Sequence, residues 1–152
     1  MKNILRSFVA LWHLLGWVSH VYLAFANPEI YRNFCRTALL PGLRDLWQML
    51  IFPNITIFAL ALAAFELTVG LLMIGKGRKV ELALVLSMLF NLFLVVLGLS
   101  GQAADEWSDF LMNRLPNLLF VLLQLPLLFV DFEHSIYETV AIRLSKQRTT
   151  LS

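Results

Sequence analysis

Residues 55–74 read ITIFALALAAFELTVGLLMI, twenty positions with a single charged residue, Glu66. A bilayer core about 30 Å thick is crossed by a helix of about 20 apolar residues, so this segment predicts a transmembrane helix. A carboxylate near the centre of such a helix costs about 2.5–3.5 kcal/mol on insertion scales, and residues of this kind face a protein interior or a hydrated cavity. Glu66 is therefore the first candidate functional residue.

Three further apolar runs lie on either side of this one: Ile4–Ala26, Val80–Leu99 and Leu115–Phe132. The last contains Pro126, which a membrane helix tolerates when neighbouring groups satisfy the freed carbonyl. The chain has 152 residues, 59% apolar and 14% charged, with a mean hydropathy of +0.76. Soluble domains are nearer 45–50% apolar and about 25% charged. The expected fold is an all-α membrane protein, a four-helix transmembrane bundle forming one domain over residues 1–152 with a tail over 133–152.

Four spans place both termini and the 74–80 loop on one side. That side carries Lys2, Arg6, Lys76, Arg78, Lys79, Arg143, Lys146 and Arg148, against Arg32, Arg36, Arg44 and Arg114 on the other. The positive-inside rule then puts both termini in the cytoplasm, in a bacterial or archaeal cytoplasmic membrane. A cleaved signal peptide is the rival reading of the first span, with Lys2 and Arg6 as its basic region and Ala24-Phe25-Ala26 as its cleavage site. The length of the apolar stretch, and His13 and His20 within it, argue against cleavage.

The connection 27–54 carries its own helical signals. Asn27, Pro28 and Glu29 make a helix start, and Ile30, Tyr31, Phe34 and Ala38 follow at helical spacing. Pro41-Gly42 breaks the chain, and Leu43, Leu46, Trp47 and Leu50 form a second stripe before Pro53. Two short amphipathic helices along the outer interface are expected, with Tyr31 and Trp47 as aromatic anchors. Residues 103–113 predict a third interfacial piece, with Asp105, Glu106 and Asp109 facing water. The tail after Asp131 is helical at first and basic at its end, which suits an anionic leaflet.

Each span contributes one strongly polar side chain near the midplane. From a rise of about 1.5 Å per residue, His13, Glu66, Asn91 and Gln124 all lie between roughly 12 and 16 Å from the inner edge. If these faces point inward, the four form one polar site. Asn91 and Gln124 also suit plain interhelical contacts, whereas His13 and Glu66 can both exchange protons. His20 lies two turns beyond His13, about 10.5 Å further out, and matches Asn117 in depth. That spacing is too wide for both imidazoles to bind one metal ion, and no metal is predicted. A file of His20, His13 and Glu66, with Asn117 at the depth of His20, would instead guide a proton or line an elongated headgroup site. Ala59, Ala63, Ala64 and Gly70 make the second span a helix that others approach closely.

The remaining signals are exclusions. Cys35 is the only cysteine, so no disulfide can form within the chain. There is no phosphate loop, dinucleotide fingerprint or nucleophile elbow. The net charge of +2 is scattered and does not indicate nucleic acid.

Three stretches resemble the DoxX-like family of small four-helix membrane proteins, related to DoxD and MauE. Asn27-Pro28-Glu29-Ile30-Tyr31 with Phe34 resembles its segment after the first helix. Glu66-Leu67-Thr68-Val69-Gly70-Leu71-Leu72-Met73-Ile74-Gly75 with Arg78 resembles its E-x-x-x-G-L-L-x-x-G pattern and basic turn. Leu115-Pro116-Asn117-Leu118-Leu119 is similar to the opening of its last helix. The resemblance implies a membrane redox setting, with thiosulfate–quinone chemistry for DoxD and oxidative-stress partners for DoxX. It carries over Glu66, Gly70, Pro116 and Asn117 as matching positions. The MauE-like cysteine pair is missing, which weighs against direct thiol redox.

Three functions are open from the sequence. The first is an accessory subunit of a membrane redox system, with a quinone or lipid-like molecule bound by Glu66, His13, Asn91 and Gln124, and a membrane or peripheral redox partner. The second is a small proton-coupled transporter using Glu66, with a homo-oligomer expected. The third is a structural or assembly subunit without chemistry of its own. A membrane isomerase acting on a sterol-like substrate is a weaker fourth.

Overall fold

The computed structural model describes residues 2–98 and 105–149. Five helical stretches organise them: α1 (Lys2–Ala26), α2 (Leu43–Ile74), α3 (Arg78–Leu97), α4 (Glu106–Phe129) and α5 (Ile136–Thr149). The first four are long and apolar enough to cross a membrane, and no strand occurs among the described residues. Helix α1 packs along α2, and α3 lies against both α2 and α4.

Each spanning helix is sided. On α1, Ile4, Phe8, Leu11, Leu15, Val18, Tyr22 and Phe25 are exposed, while Arg6, Val9, Ala10, His13 and Ala24 are buried. An apolar stripe of this extent would be a liability in water. In a bilayer it is the face that meets lipid, and the polar side chains turn inward. The protein is an integral membrane protein.

Both short helical pieces of the first connection are present. Pro28–Asn33 is a 3-10 turn, and residues 43–54 are helical and run without a break into the second span. A wide π-turn at Trp47–Ile51 and a 3-10 turn at Phe52–Asn54 accommodate Pro53, which has no N–H to donate. Three details differ from the sequence reading. The Asn27 side chain makes no capping bond; its backbone carbonyl accepts from Ile30 N–H instead. The helical spacing of Phe34 and Ala38 does not continue the helix, because Cys35 adopts φ +66° and the chain turns to bond Gly98 and Val96 at the end of α3. Tyr31 is not an interfacial anchor but is 2% exposed.

The fourth span starts earlier than its apolar run. A capping box between Asp105 and Ser108 opens it at Glu106, and the 103–113 piece, of which 103 and 104 lie outside the described residues, merges into α4. Pro126 tightens its end into a 3-10 turn that stops at Phe129. The third span ends at Leu97; Leu99, its expected last residue, lies outside the described residues. Asp109 does not face water. It is fully buried because Arg114 Nε (2.8 Å), Thr37 Oγ1 (2.7 Å) and Asn113 Nδ2 (2.5 Å) all donate to its carboxylate.

Two arginines close opposite ends of the bundle by the same device. The last carbonyls of a helix lack intrahelical donors. Arg6, fully buried, donates to Met73 O (2.8 Å), Ile74 O (2.9 Å), Gly75 O and His134 O (3.0 Å), and its guanidinium lies 4.8 Å from the Phe132 ring centre. Arg114 donates to Val95 O (2.9 Å), near the end of α3, and to Thr37 O.

Candidate functional site

The site forms where α1 and α2 come closest. On α2 the inward positions are Ala59, Ala63, Glu66, Gly70 and Met73, a mostly small stripe that lets α1 approach. Gly70 admits Leu14, whose Cδ2 would lie 2.8 Å from a Cβ built there. Gly16 on α1 admits Glu66 itself: a Cβ on Gly16 would lie 2.7 Å from the carboxyl carbon and would collide with Oε2. The space beside the carboxylate thus comes from Gly16, one turn after His13 and one before His20.

That position sets Glu66 between two imidazoles. Oε1 lies 3.9 Å from His13 Nδ1, and Oε2 lies 3.8 Å from His20 Nε2. Both are close enough for charge interaction but longer than a hydrogen bond. The far nitrogen of each ring is engaged. His13 Nε2 and Ser87 Oγ are 2.7 Å apart, as are His20 Nδ1 and Tyr31 Oη. Ser87, His13, Glu66, His20 and Tyr31 therefore form one polar line, running from the bundle interior to the end that carries the 27–54 connection. Among the described residues, His13 Nδ1 and Glu66 Oε2 have no hydrogen-bond partner, a costly state for buried polar atoms unless another molecule supplies one.

The other midplane residues stand apart from this line. Asn91 is buried, but its Nδ2 donates to Ser87 O one turn back (2.7 Å), so it touches the line only through a backbone carbonyl. Gln124 donates to Phe120 O (3.1 Å), and its buried Oε1 has no partner among the described residues. Asn117 donates to Asn113 O (2.5 Å), and Pro116 sits in the first turn of the 115–124 segment. All three amides satisfy their own helix before they reach across. Among the described residues, none of these three amides is hydrogen-bonded to Glu66, His13 or His20.

Sequence reasoning missed Ser87, Gly16 and the role of Tyr31. A signal existed for the first two: Ser87 is one helical turn from Asn91, and Gly16 sits between His13 and His20 on their face. Tyr31 lies outside the spans, where burial and then the charge of Glu66 push its phenol up to about 12. Burial likewise pushes the Cys35 thiol up to about 11, which keeps it protonated and unreactive. No group of three or more His, Cys, Asp or Glu among the described residues could hold a metal ion.

Towards the termini the line stops at an apolar plug. Val9, Val69, Met73, Val80, Ala83 and Leu84, none more than 3% exposed, pack together below His13. An apolar groove of about 470 Å³ opens on the outer side of α2 and α3, lined by Phe65, Leu86, Phe90 and Phe93 among others, and none of the polar line contributes to it. The chain matches no family model, no curated protein and no solved structure.

Proposed function

We propose that this protein is a DoxX-like accessory subunit of a membrane redox system, in which Glu66 exchanges a proton with the polar head of a quinone or lipid-like molecule. The observation that carries this reading is the clamped carboxylate: Glu66 lies within 4 Å of both His13 and His20, and His13 Nδ1 and Glu66 Oε2 lack a partner among the described residues. A hydroxyl or carbonyl from an amphiphile is the kind of group that would satisfy them. The groove of Phe65, Phe90 and Phe93, on a different face of α2 from Glu66, offers an apolar surface for an isoprenoid or acyl chain. The redox setting comes from the family resemblance, and the proton handling from the geometry.

The test is the organic extract of protein purified in mild detergent, analysed by mass spectrometry for wild type and Glu66→Gln. A stoichiometric quinone or lipid that is lost in the variant is the expected result. Equal retention by both would count against the reading. Proton-coupled transport is the second reading, favoured by a carboxylate connected to one end of the bundle and sealed from the other. Proton-driven flux in liposomes that disappears in Glu66→Ala would select it.

A further inference from the structure

We propose that Glu66 exchanges its proton with only one end of the bundle, the end bearing the 27–54 connection, and that His20 and Tyr31 are the relay. This rests on the proton-exchange reading above and adds a direction to it.

The surroundings of the carboxylate are asymmetric along the bundle axis. Towards the connection, His20 Nε2 is 3.8 Å away, its Nδ1 is 2.7 Å from Tyr31 Oη, and the His20 side chain is 20% exposed. Towards the termini, His13 passes only to Ser87, and beyond them lies the plug of Val9, Val69, Met73 and Leu84. Past the plug, the buried guanidinium of Arg6 caps α2. A proton moving that way would cross a layer of apolar side chains in which Gln124 Oε1 is a buried but uncharged acceptor, and would then meet a fixed positive charge, and both are unfavourable in a low-dielectric interior.

The relay balances without a redox partner. The Glu66 carboxylic acid gives its proton to His20 Nε2, and the Nδ1 proton passes to Tyr31 Oη. Tyr31, itself 2% exposed, then releases its own hydroxyl proton to a water that reaches the phenol from that end. One proton leaves Glu66, one reaches the interface, and His20 and Tyr31 remain neutral, with the imidazole in its other tautomer. The first transfer requires Glu66 and His20 to approach by about 1 Å, or one bridging water. Among the described residues, the basic side chains within 4 Å of the carboxylate are His13 and His20 of α1; the buried polar groups of α3 are Ser87, on the line, and Asn91, beside it, and α4 presents the uncharged Gln124.

The experiment uses full-length protein in liposomes with one insertion orientation, verified by protease access to the tail. The carboxyl stretch that vanishes in Glu66→Gln is followed by infrared difference spectroscopy after a pH jump on either side. Wild type is expected to respond to the connection side only. His20→Gln and Tyr31→Phe are each expected to slow that response by about a hundredfold, the low end of what a positioned proton-transfer group contributes. A response driven from the termini side, or an unchanged rate in both variants, overturns the directional relay while leaving proton exchange at Glu66 intact. A carboxyl that changes protonation from neither side overturns the proton-exchange reading itself.

Discussion

The carboxylate of Glu66 occupies the space where a side chain on Gly16 would be: a Cβ there would sit 2.7 Å from the carboxyl carbon. The glycine thus fixes both the closeness of α1 to α2 and the seat of the charged group between His13 and His20. Gly16→Ala is expected to displace the carboxylate or force the helices apart, at about 1–3 kcal/mol, the usual cost of overpacking. A thermal melt in detergent checks the loss. The same substitution should also alter the Glu66 carboxyl stretch, which a substitution on the lipid-facing side of α1 would leave in place.

Asp109 and Arg114 form the second buried charged group, at the opposite end from Arg6. Removing one partner of a buried pair strands the other, typically at about 3–5 kcal/mol. Arg114→Met is expected to fall in that range, since it also releases Val95 O and Thr37 O. Replacing both residues, Asp109→Leu with Arg114→Met, should cost less than the sum of the single changes. A double-variant cycle by chemical unfolding in micelles reads the coupling directly.

The four spans were legible because lipid demands about 20 apolar residues in a row, and nothing else in a chain of this length produces such runs. The depth of His13 and Glu66 was legible for the same reason, since helical rise converts position into height. Rotation about the helix axis was not. Asn91, Gln124 and Asn117 lie at suitable depths, yet each bonds a carbonyl of its own helix, an option open to any polar side chain and invisible in its spacing. Tyr31 was misplaced for a different reason: interfacial tyrosines are common, and only the turn at Cys35, which adopts φ +66° and ties the connection to α3, reveals that this one is covered. Asp109 and Arg114 read as ordinary interfacial charges because the residue that joins them, Thr37, is far away in sequence.

Arg6 reads from sequence as a topology charge and proves to be a cap. Its guanidinium spans four carbonyls on two segments, Met73 to Gly75 and His134. Lysine keeps the charge but lacks the planar fork, so Arg6→Lys is expected to destabilise nearly as much as Arg6→Met. Leaving buried carbonyls unsatisfied costs about 1–3 kcal/mol. If charge alone mattered, Arg6→Lys would melt like wild type. Limited proteolysis offers a second readout, because loss of the His134 contact should make the 130–135 segment easier to cleave.

Tyr31 gives the bundle a pH dependence of known sign. Its phenol is pushed from 10 up to about 12, first by burial and then by the Glu66 charge. Below pH 10 the folded and unfolded chains both hold the phenolic proton, so Tyr31 contributes no slope. As pH rises from 10 to about 12 the unfolded chain releases that proton while the folded one retains it, and stability falls. The full loss corresponds to roughly 2–3 kcal/mol and levels off above the folded value. Denaturant midpoints measured from pH 9 to 12 should therefore decline more steeply for wild type than for Tyr31→Phe, which keeps the ring against Phe34 (5.1 Å between centroids) but has nothing to ionise. Phenolate absorbance provides the site-specific check, as the Tyr31 component should appear near pH 12 and move lower in Glu66→Gln, where the neighbouring charge is gone.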